Sequence, residues 1–149
     1  MTILIDTSVL GRLANANDAH YGVADQAVIE LHRRGETLCI TAQKLVEFRN
    51  VATRATALNG LGLSTVEAES KAAKFELQFV LLEETSDIYP AWKTLVGSLG
   101  IIGKQVHDAR LVAVCHVNRV SHLLTFNVSH FSRMSGHGPP LSILHPANV

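Results

Sequence analysis

Three acidic residues occupy positions from which carboxylates are well placed to bind a metal ion. Asp6 follows directly on the apolar run ILI, which is typical of a short buried strand. Asp108 opens a helical segment and lies on its apolar face, since Leu111 and Cys115 follow three and seven positions later. Glu47 stands in the middle of a third segment, KLVEFRN. Hard divalent cations such as Mg²⁺ and Mn²⁺ bind through carboxylate oxygens, so acids that converge from separate elements are suited to hold one.

Each of these acids also has a plainer interpretation. Asp6 is a suitable N-cap for a helix that begins at residue 7. The charge of Asp108 favours any helix N-terminus, and Glu47, with Lys44 and Arg49 nearby, has the surroundings of an ordinary surface charge. Desolvating a carboxylate at the end of a buried strand is expensive, however, unless it is paired, hydrogen-bonded or metal-bound. Considered together, the three acids favour metal chemistry that uses acidic ligands alone.

The sequence lacks the motifs of several other kinds of site. It has no Cys–His spacing for zinc, no GxxxxGK phosphate loop, no GxGxxG turn and no GxSxG elbow. A phosphoacceptor receiver domain would need a paired acidic cluster after the first strand and an acceptor Asp at a central strand end. ILIDTS supplies only one acid, and neither TLCI nor FVLLE is followed by an Asp before Asp87, so we set this class aside.

Strand and helix patterns alternate along the chain and predict the elements that position the acids. Strands are predicted for TILI, ETLCI, FVLLE and HLLTF, with LSIL as a candidate fifth. Helices are predicted for TSVLGRLA, VADQAVIELHRRG, TAQKLVEFRNVATRA, STVEAESKAAKFEL, SDIYPAWKTLVGSLG and HDARLVAVCHVN. This alternation is typical of an α/β fold, with a central, mostly parallel sheet of four to five strands covered by helices on both faces. Functional groups then gather at the carboxyl edge of the sheet.

Local signals support these boundaries. Thr41 is placed to cap the helix that follows it, and Ser64 with Glu67 three residues later forms a capping-box signature. Cys39 and Cys115 lie inside apolar runs, which favours buried free thiols over a disulfide or a metal pair.

Length and composition predict one compact domain spanning residues 1–149. Hydrophobic residues make up 47% of the chain, and 13 basic residues balance 13 acidic ones, so no overall positive charge indicates a nucleic-acid partner. After Asp108, however, no acidic residue occurs, while Arg110, Arg119, Arg133 and five histidines do. Such a segment attracts phosphate, although chance explains a short tail equally well. The N-terminus reaches Asp6 too soon for a signal peptide, and no apolar run approaches membrane-spanning length, so we expect a cytoplasmic protein.

Four motifs, taken in order, resemble those of PIN-domain proteins, and among these the VapC-like toxins of prokaryotic toxin–antitoxin pairs. The motifs are ILIDTSVL at the N-terminus, EF at Glu47, HDARLVA at 107–113 and LLTFNVSHF at 123–131. Their order, spacing and context agree with the family over nearly the whole chain. The resemblance implies a PIN-like α/β/α sandwich and an endoribonuclease that depends on Mg²⁺ or Mn²⁺.

The resemblance also implies roles for particular residues. The three acidic positions of the family match Asp6, Glu47 and Asp108, which would hold the ion or ions. The small hydroxyl residues near the metal match Thr7 or Ser8 in the first motif and Thr125 in the last. The implied partners are an RNA substrate, a cognate antitoxin and a second copy of the chain, for which exposed apolar residues on the helix at 64–78 are candidates.

The chain departs from the family at Asn127, where many members carry a fourth acidic residue. An amide oxygen still binds a metal, but without the charge, so we expect weaker binding of a second cation. An alternative function is therefore a catalytically weak or inactive PIN-fold module that binds RNA or protein. Arg110 is a candidate contact for RNA phosphate, although a solvated residue with no role explains it equally well. His107 and His130 are expected to pack or to donate hydrogen bonds, because no histidine base is required.

Overall fold

Five short strands form one parallel sheet in the computed structural model, which describes residues 1–149. The strands are β1 (Thr2–Ile5), β2 (Thr37–Thr41), β3 (Val80–Leu82), β4 (His122–Leu124) and β5 (Ser142–Leu144). Their order across the sheet is β3-β2-β1-β4-β5, and every neighbouring pair is parallel. The predicted parallel sheet is therefore confirmed, including its candidate fifth strand.

Seven α-helices connect and cover these strands. They are α1 (Thr7–Leu13), α2 (Tyr21–Arg33), α3 (Ala42–Thr53), α4 (Thr65–Gln78), α5 (Ile88–Leu99), α6 (Gln105–Val117) and α7 (Val128–Phe131), with short 3₁₀ turns at Thr56–Leu58 and Pro146–Asn148. The six longer helices match the predicted segments to within a few residues. Asp108 lies in the first turn of α6, which begins two residues before the predicted start at His107. The single turn of α7 was not predicted.

Two apolar cores lie on opposite faces of the sheet and account for the three layers. Ile3 and Ile5 of β1 belong to the larger core, with side chains from α1, α2, α3 and α4. Leu4, between them, belongs to the second core, with side chains from α5, α6 and α7. Successive residues of a strand point to opposite faces, so a central strand buried on both sides must be apolar throughout, as ILI is. The α/β/α sandwich follows from this pattern.

The chain reverses its direction of travel across the sheet at β1. From β1 it proceeds through β2 to β3 on one side, and then returns to place β4 and β5 on the other side. The loops after β1 and β4, which are neighbouring strands, therefore lead away in opposite directions and leave a crevice between them. Open α/β sheets bind ligands in a crevice of this kind. Asp6 and Thr125 are the first residues beyond β1 and β4, and the Asp6 amide donates a hydrogen bond to the Leu124 carbonyl at 3.0 Å.

The predicted caps form as expected. The Thr41 hydroxyl accepts a hydrogen bond from the backbone amide of Lys44 at the start of α3. Ser64 and Glu67 make both hydrogen bonds of a capping box at the start of α4. No helix has both the length and the apolar character needed to cross a membrane.

The two cysteines are free and buried, as predicted. Burial raises the pKa of the Cys39 thiol to about 12, and it also raises the pKa of Cys115. Because the thiolate is the reactive form, we expect neither residue to react with Ellman's reagent at neutral pH while the protein is folded. Both should react in guanidinium chloride. Rapid labelling of the folded protein would contradict this prediction.

Candidate active site

A polar pocket lies at the carboxyl edge of the sheet, above the ends of β1 and β4. Its lining brings together the four positions predicted to surround a cation and both hydroxyls of the first motif: Asp6, Thr7, Ser8, Glu47, Asp108 and Asn127. Lys44 and His130 also line it. The buried Thr125 is hydrogen-bonded to Asp6. Residues far apart in sequence therefore converge as the fold class predicts.

Asp6 does not cap α1, so the plainer interpretation of this residue is wrong. It occupies the N-cap position, but its carboxylate accepts no hydrogen bond from the backbone of the helix. Instead Oδ2 accepts hydrogen bonds from the hydroxyls of Ser8 and Thr125, both at 2.8 Å. Oδ1 lies 3.3 Å from the ammonium nitrogen of Lys44. The side chain is thus turned away from α1, with two hydroxyl donors and one cation offsetting the desolvation of a carboxylate that is only 5% exposed.

The hydroxyls that hold Asp6 form a small network that joins the first and last motifs. Ser8 Oγ accepts a hydrogen bond from the Phe126 amide at 3.1 Å and lies 3.2 Å from Thr125 Oγ1. Thr125 Oγ1 in turn accepts a hydrogen bond from the backbone amide of Asn127 at 3.0 Å. The network therefore fixes the carboxylate of Asp6 relative to the backbone on which Asn127 stands.

Glu47 also has more partners than an isolated surface charge would have. Its Oε2 accepts hydrogen bonds from Thr7 Oγ1 at 2.9 Å and from the ammonium group of Lys44 at 2.7 Å. Its Oε1 accepts one from Gln43 at 2.9 Å. Burial acts to raise the pKa of Glu47, but the charge of Lys44 and these hydrogen bonds outweigh it and hold the pKa below its ordinary value. Glu47 is accordingly ionised at neutral pH.

Lys44 is the functional candidate that sequence reasoning missed. Its side chain is 3% exposed, and the ammonium group bridges the carboxylates of Asp6 and Glu47. Burial alone would lower the pKa of Lys44, yet the two carboxylates raise it above the ordinary value, so the side chain carries its charge. The signal was present in the sequence: Phe48 and Ala52, four and eight residues later, are fully buried and place Lys44 on the inner face of α3.

Asp108 stands on the far side of the pocket, on α6. Its side chain is 24% exposed, and His130 Nδ1 lies 3.7 Å from its Oδ2. Burial raises the pKa of Asp108; the charges of Lys44 and His130 oppose this rise, while those of Asp6 and Glu47 add to it. The charges of Asp6 and Glu47 are therefore close enough to Asp108 to act on its pKa.

Asn127 is exposed at the edge of the pocket, at the N-terminus of α7. It holds the N-cap position of this one-turn helix without capping it through its side chain. The side-chain amide of Asn127 is thus free to bind a ligand in the pocket. No acidic residue stands near it on its own segment, because residues 109–149 contain none.

Arg110 lies outside the pocket and is already paired. Its guanidinium group makes two contacts with the carboxylate of Glu84, at 3.2 and 2.7 Å, and donates to Gln43 Oε1 at 2.6 Å. The lysines and arginines that do line the pocket are Lys44, Arg12, Arg54 and Lys104, and none of them comes after Asp108 in the chain. The positive charge beside the acids therefore does not come from the basic C-terminal segment.

The donor types of the pocket suit a hard divalent cation, but the spacing is only partly suitable. Carboxylates, hydroxyls and an amide oxygen are the ligands that Mg²⁺ and Mn²⁺ prefer. No three acidic, histidine or cysteine side chains, however, lie close enough together to share one ion. Two of the three acids are held by Lys44 instead. Asp108 and Asn127 accept no hydrogen bond through their side-chain oxygens, whereas both oxygens of Asp6 already have partners in the chain.

The sequence profile of the PIN domain family matches residues 3–136, so the chain belongs to the PIN domain family. Among curated proteins, none matches the chain.

Solved structures share the fold at low sequence identity. VapBC2 of Rickettsia felis, bound to a DNA fragment from its promoter, matches with a TM-score of 0.71 and 17% identity over 97% of this chain and 98% of that one. VapBC-1 of nontypeable Haemophilus influenzae matches with a TM-score of 0.70 and 14% identity over 98% of each chain. VapC20 of Mycobacterium tuberculosis, a toxin that cleaves the sarcin–ricin loop, matches with a TM-score of 0.62 and 23% identity over 89% of this chain and 95% of that one. The expected PIN-like architecture is thereby confirmed.

Proposed function

We propose that the protein is a metal-dependent endoribonuclease and the toxin of a toxin–antitoxin pair. The observation that carries the proposal is the convergence of Asp6, Glu47 and Asp108, from three separate elements, on one pocket of a PIN-domain chain. These acids are 41 or more positions apart, and no packing requirement explains why all three face one polar pocket.

Asp6, Asp108 and the amide oxygen of Asn127 would hold the Mg²⁺ or Mn²⁺ ion, while Glu47 secures the position of Lys44. Bound to such a site, a divalent cation lowers the pKa of a coordinated water and polarises a phosphodiester. Ser8 and Thr125 keep the Asp6 carboxylate oriented. Arg12, Arg54 and Lys104 provide positive charge along the pocket, where an RNA backbone would need it. Arg110 would reach phosphate only by giving up Glu84.

The proposed partners are RNA, a cognate antitoxin and a second copy of the chain. The solved structures similar to this chain include complexes of toxins with antitoxins, which supports the second of these. For the third, Val66 and Leu77 on α4 are 77% and 90% exposed and offer apolar surface.

Cleavage of total RNA by the purified protein should require Mn²⁺ or Mg²⁺ and stop when EDTA is added. The physical reason is that the attacking water, in this proposal, loses its proton only when it is coordinated to an ion held by the acids of the pocket. Readdition of excess Mn²⁺ should restore cleavage. Cleavage that persists in EDTA would contradict the proposal.

The alternative is a PIN-fold module that binds RNA or protein without cleaving it. The ion pairs of Lys44 with Asp6 and Glu47 favour it, because they occupy two of the three acids. The same assay distinguishes the two functions. RNA binding in a mobility-shift experiment, with no cleavage at any Mn²⁺ concentration up to 10 mM or so, would support the module.

A further inference from the structure

Lys44 is a buried charge at the centre of the acidic pocket. Its ammonium nitrogen lies 2.7 Å from Glu47 Oε2 and 3.3 Å from Asp6 Oδ1, and it is the only basic group within 4.0 Å of either carboxylate. Lysine is almost never fully buried unless it is paired. Its position between two acids that the resemblance assigns to metal binding is therefore the feature that demands an explanation.

We propose that the ammonium group of Lys44 takes the place of a second divalent cation, so that the pocket binds one metal ion and not two. This inference rests on the proposed function, because it concerns the same carboxylates. Lys44 is a positioning residue in this scheme: it contacts Asp6 and Glu47 and holds them together without an ion.

The charges of the cluster formed by Lys44 and the three acids around it support this number of ions. Asp6, Glu47 and Asp108 carry three negative charges, of which Lys44 neutralises one. Arg12, Asp18, Arg54 and Lys104 also line the pocket but form no ion pair with these three acids. Two negative charges of the cluster remain, which is the charge that a single Mg²⁺ or Mn²⁺ balances. An Asp in place of Asn127 together with an uncharged residue in place of Lys44 would leave four, enough for two ions. Compared with that arrangement, Lys44 and Asn127 each make the pocket less negative by one charge. Together they account for the charge of one divalent ion.

The geometry supports the same conclusion. Glu47 Oε2 is directed to Lys44 and Thr7, and Oε1 is directed to Gln43, so each oxygen of Glu47 already has a partner from this chain. A divalent ion between Asp6 and Glu47 would have to displace an ammonium group that is nine-tenths or more buried. Asp108 has only His130 nearby, at 3.7 Å, so its carboxylate has no competing cation from a lysine or arginine of the chain.

The test is Mn²⁺ binding without RNA, measured by titration calorimetry and by electron paramagnetic resonance of free Mn²⁺. We expect wild type to bind one ion, and a stoichiometry of zero would overturn the inference. Lys44→Met, which keeps the length of the side chain and removes its charge, should bind a second ion or bind Mn²⁺ on the order of tenfold more tightly. Lys44→Met combined with Asn127→Asp should bind two. Lys104 lines the same pocket, but its ammonium group pairs with no acid. Lys104→Met should therefore change the affinity for Mn²⁺ by less than about threefold.

Two ions in wild type, or unchanged or weaker Mn²⁺ binding in Lys44→Met, would overturn the inference. If Lys44→Met unfolds without metal, Mn²⁺ should restore its circular dichroism spectrum, because the ion replaces the ammonium group; Lys44→Gln repeats this measurement. Failure of both variants to fold in Mn²⁺ would also overturn it. The proposed function fails separately. If Lys44→Met binds more Mn²⁺ than wild type but wild type cleaves no RNA, the nuclease is refuted and the inference about Lys44 stands.

Discussion

Replacing Asp6 by Asn should lower metal-dependent RNA cleavage by at least about 100-fold. Loss of a residue that merely supports a metal ligand reduces affinity or activity about 10- to 100-fold, and Asp6 is proposed to be a ligand itself. Asn keeps the shape of the side chain and an oxygen that accepts the hydrogen bonds of Ser8 and Thr125. It removes the charge that faces Lys44 and the ion. The substitution thus separates the charge of Asp6 from its packing.

Initial rates on a defined RNA at saturating Mn²⁺ measure this effect, with the circular dichroism spectrum as a check on folding. Asp18→Asn is the matched control, because Asp18 lines the same pocket but lies 4.0 Å from Arg12 and contacts none of the other acids. Its rate should remain within about threefold of wild type, as expected for a half-buried charge with one distant ion-pair partner. A preparation of Asp6→Asn that cleaves as fast as wild type would show that the reaction takes place elsewhere or comes from a contaminating nuclease.

The sequence predicts those parts of the site that depend on a single element. Asp6 follows a run that is apolar at every position, which is the pattern of a strand buried on both faces, and the end of such a strand is fixed by the run itself. The N-cap at Thr41 and the capping box at Ser64 each depend on two residues that are three positions apart. At these positions local spacing is sufficient, whereas the N-cap suggested for Asp6 does not form because its carboxylate is bound by Ser8, Thr125 and Lys44.

The missed features depend on contacts between distant segments. The charged side chain of Lys44 is stable inside the protein because the carboxylate of Asp6, 38 positions earlier in the chain, lies beside it. Arg110 is paired with Glu84, 26 positions away, so it is not the freely solvated residue that the sequence suggested as an alternative. A helix of four residues such as α7 has too few positions for any period to be recognised. Local patterns contain no information about which strand end faces which helix.

The position of Lys44 also changes the significance of Asn127. From the sequence, Asn127 is a missing charge that weakens the site. In the structure the pocket already contains a buried cation that pairs with two of the three predicted acids. The uncharged amide at 127 and the ammonium group at 44 therefore act in the same direction, since each leaves the pocket less negative.

Replacing Thr125 by Val should destabilise the protein by about 1–3 kcal/mol, because buried polar groups lose a hydrogen-bond partner. Thr125 is fully buried, and its hydroxyl donates to Asp6 Oδ2 at 2.8 Å and accepts from the Asn127 amide at 3.0 Å. Val has the same shape, so packing is preserved while the link between Asp6 and the Asn127 backbone is lost. Cleavage should fall about 10-fold or more, as for other groups that orient a metal ligand.

Thr125→Ser distinguishes the hydroxyl from the methyl group. It retains both hydrogen bonds and loses one buried methyl, so we expect a loss of about 1 kcal/mol with a cleavage rate within about threefold of wild type. Thermal unfolding and urea titration measure stability, and the cleavage assay used for Asp6→Asn measures activity. If Val and Ser at this position give the same rate, the hydroxyl does not orient Asp6, and the carboxylate must be held by Ser8 and Lys44 alone.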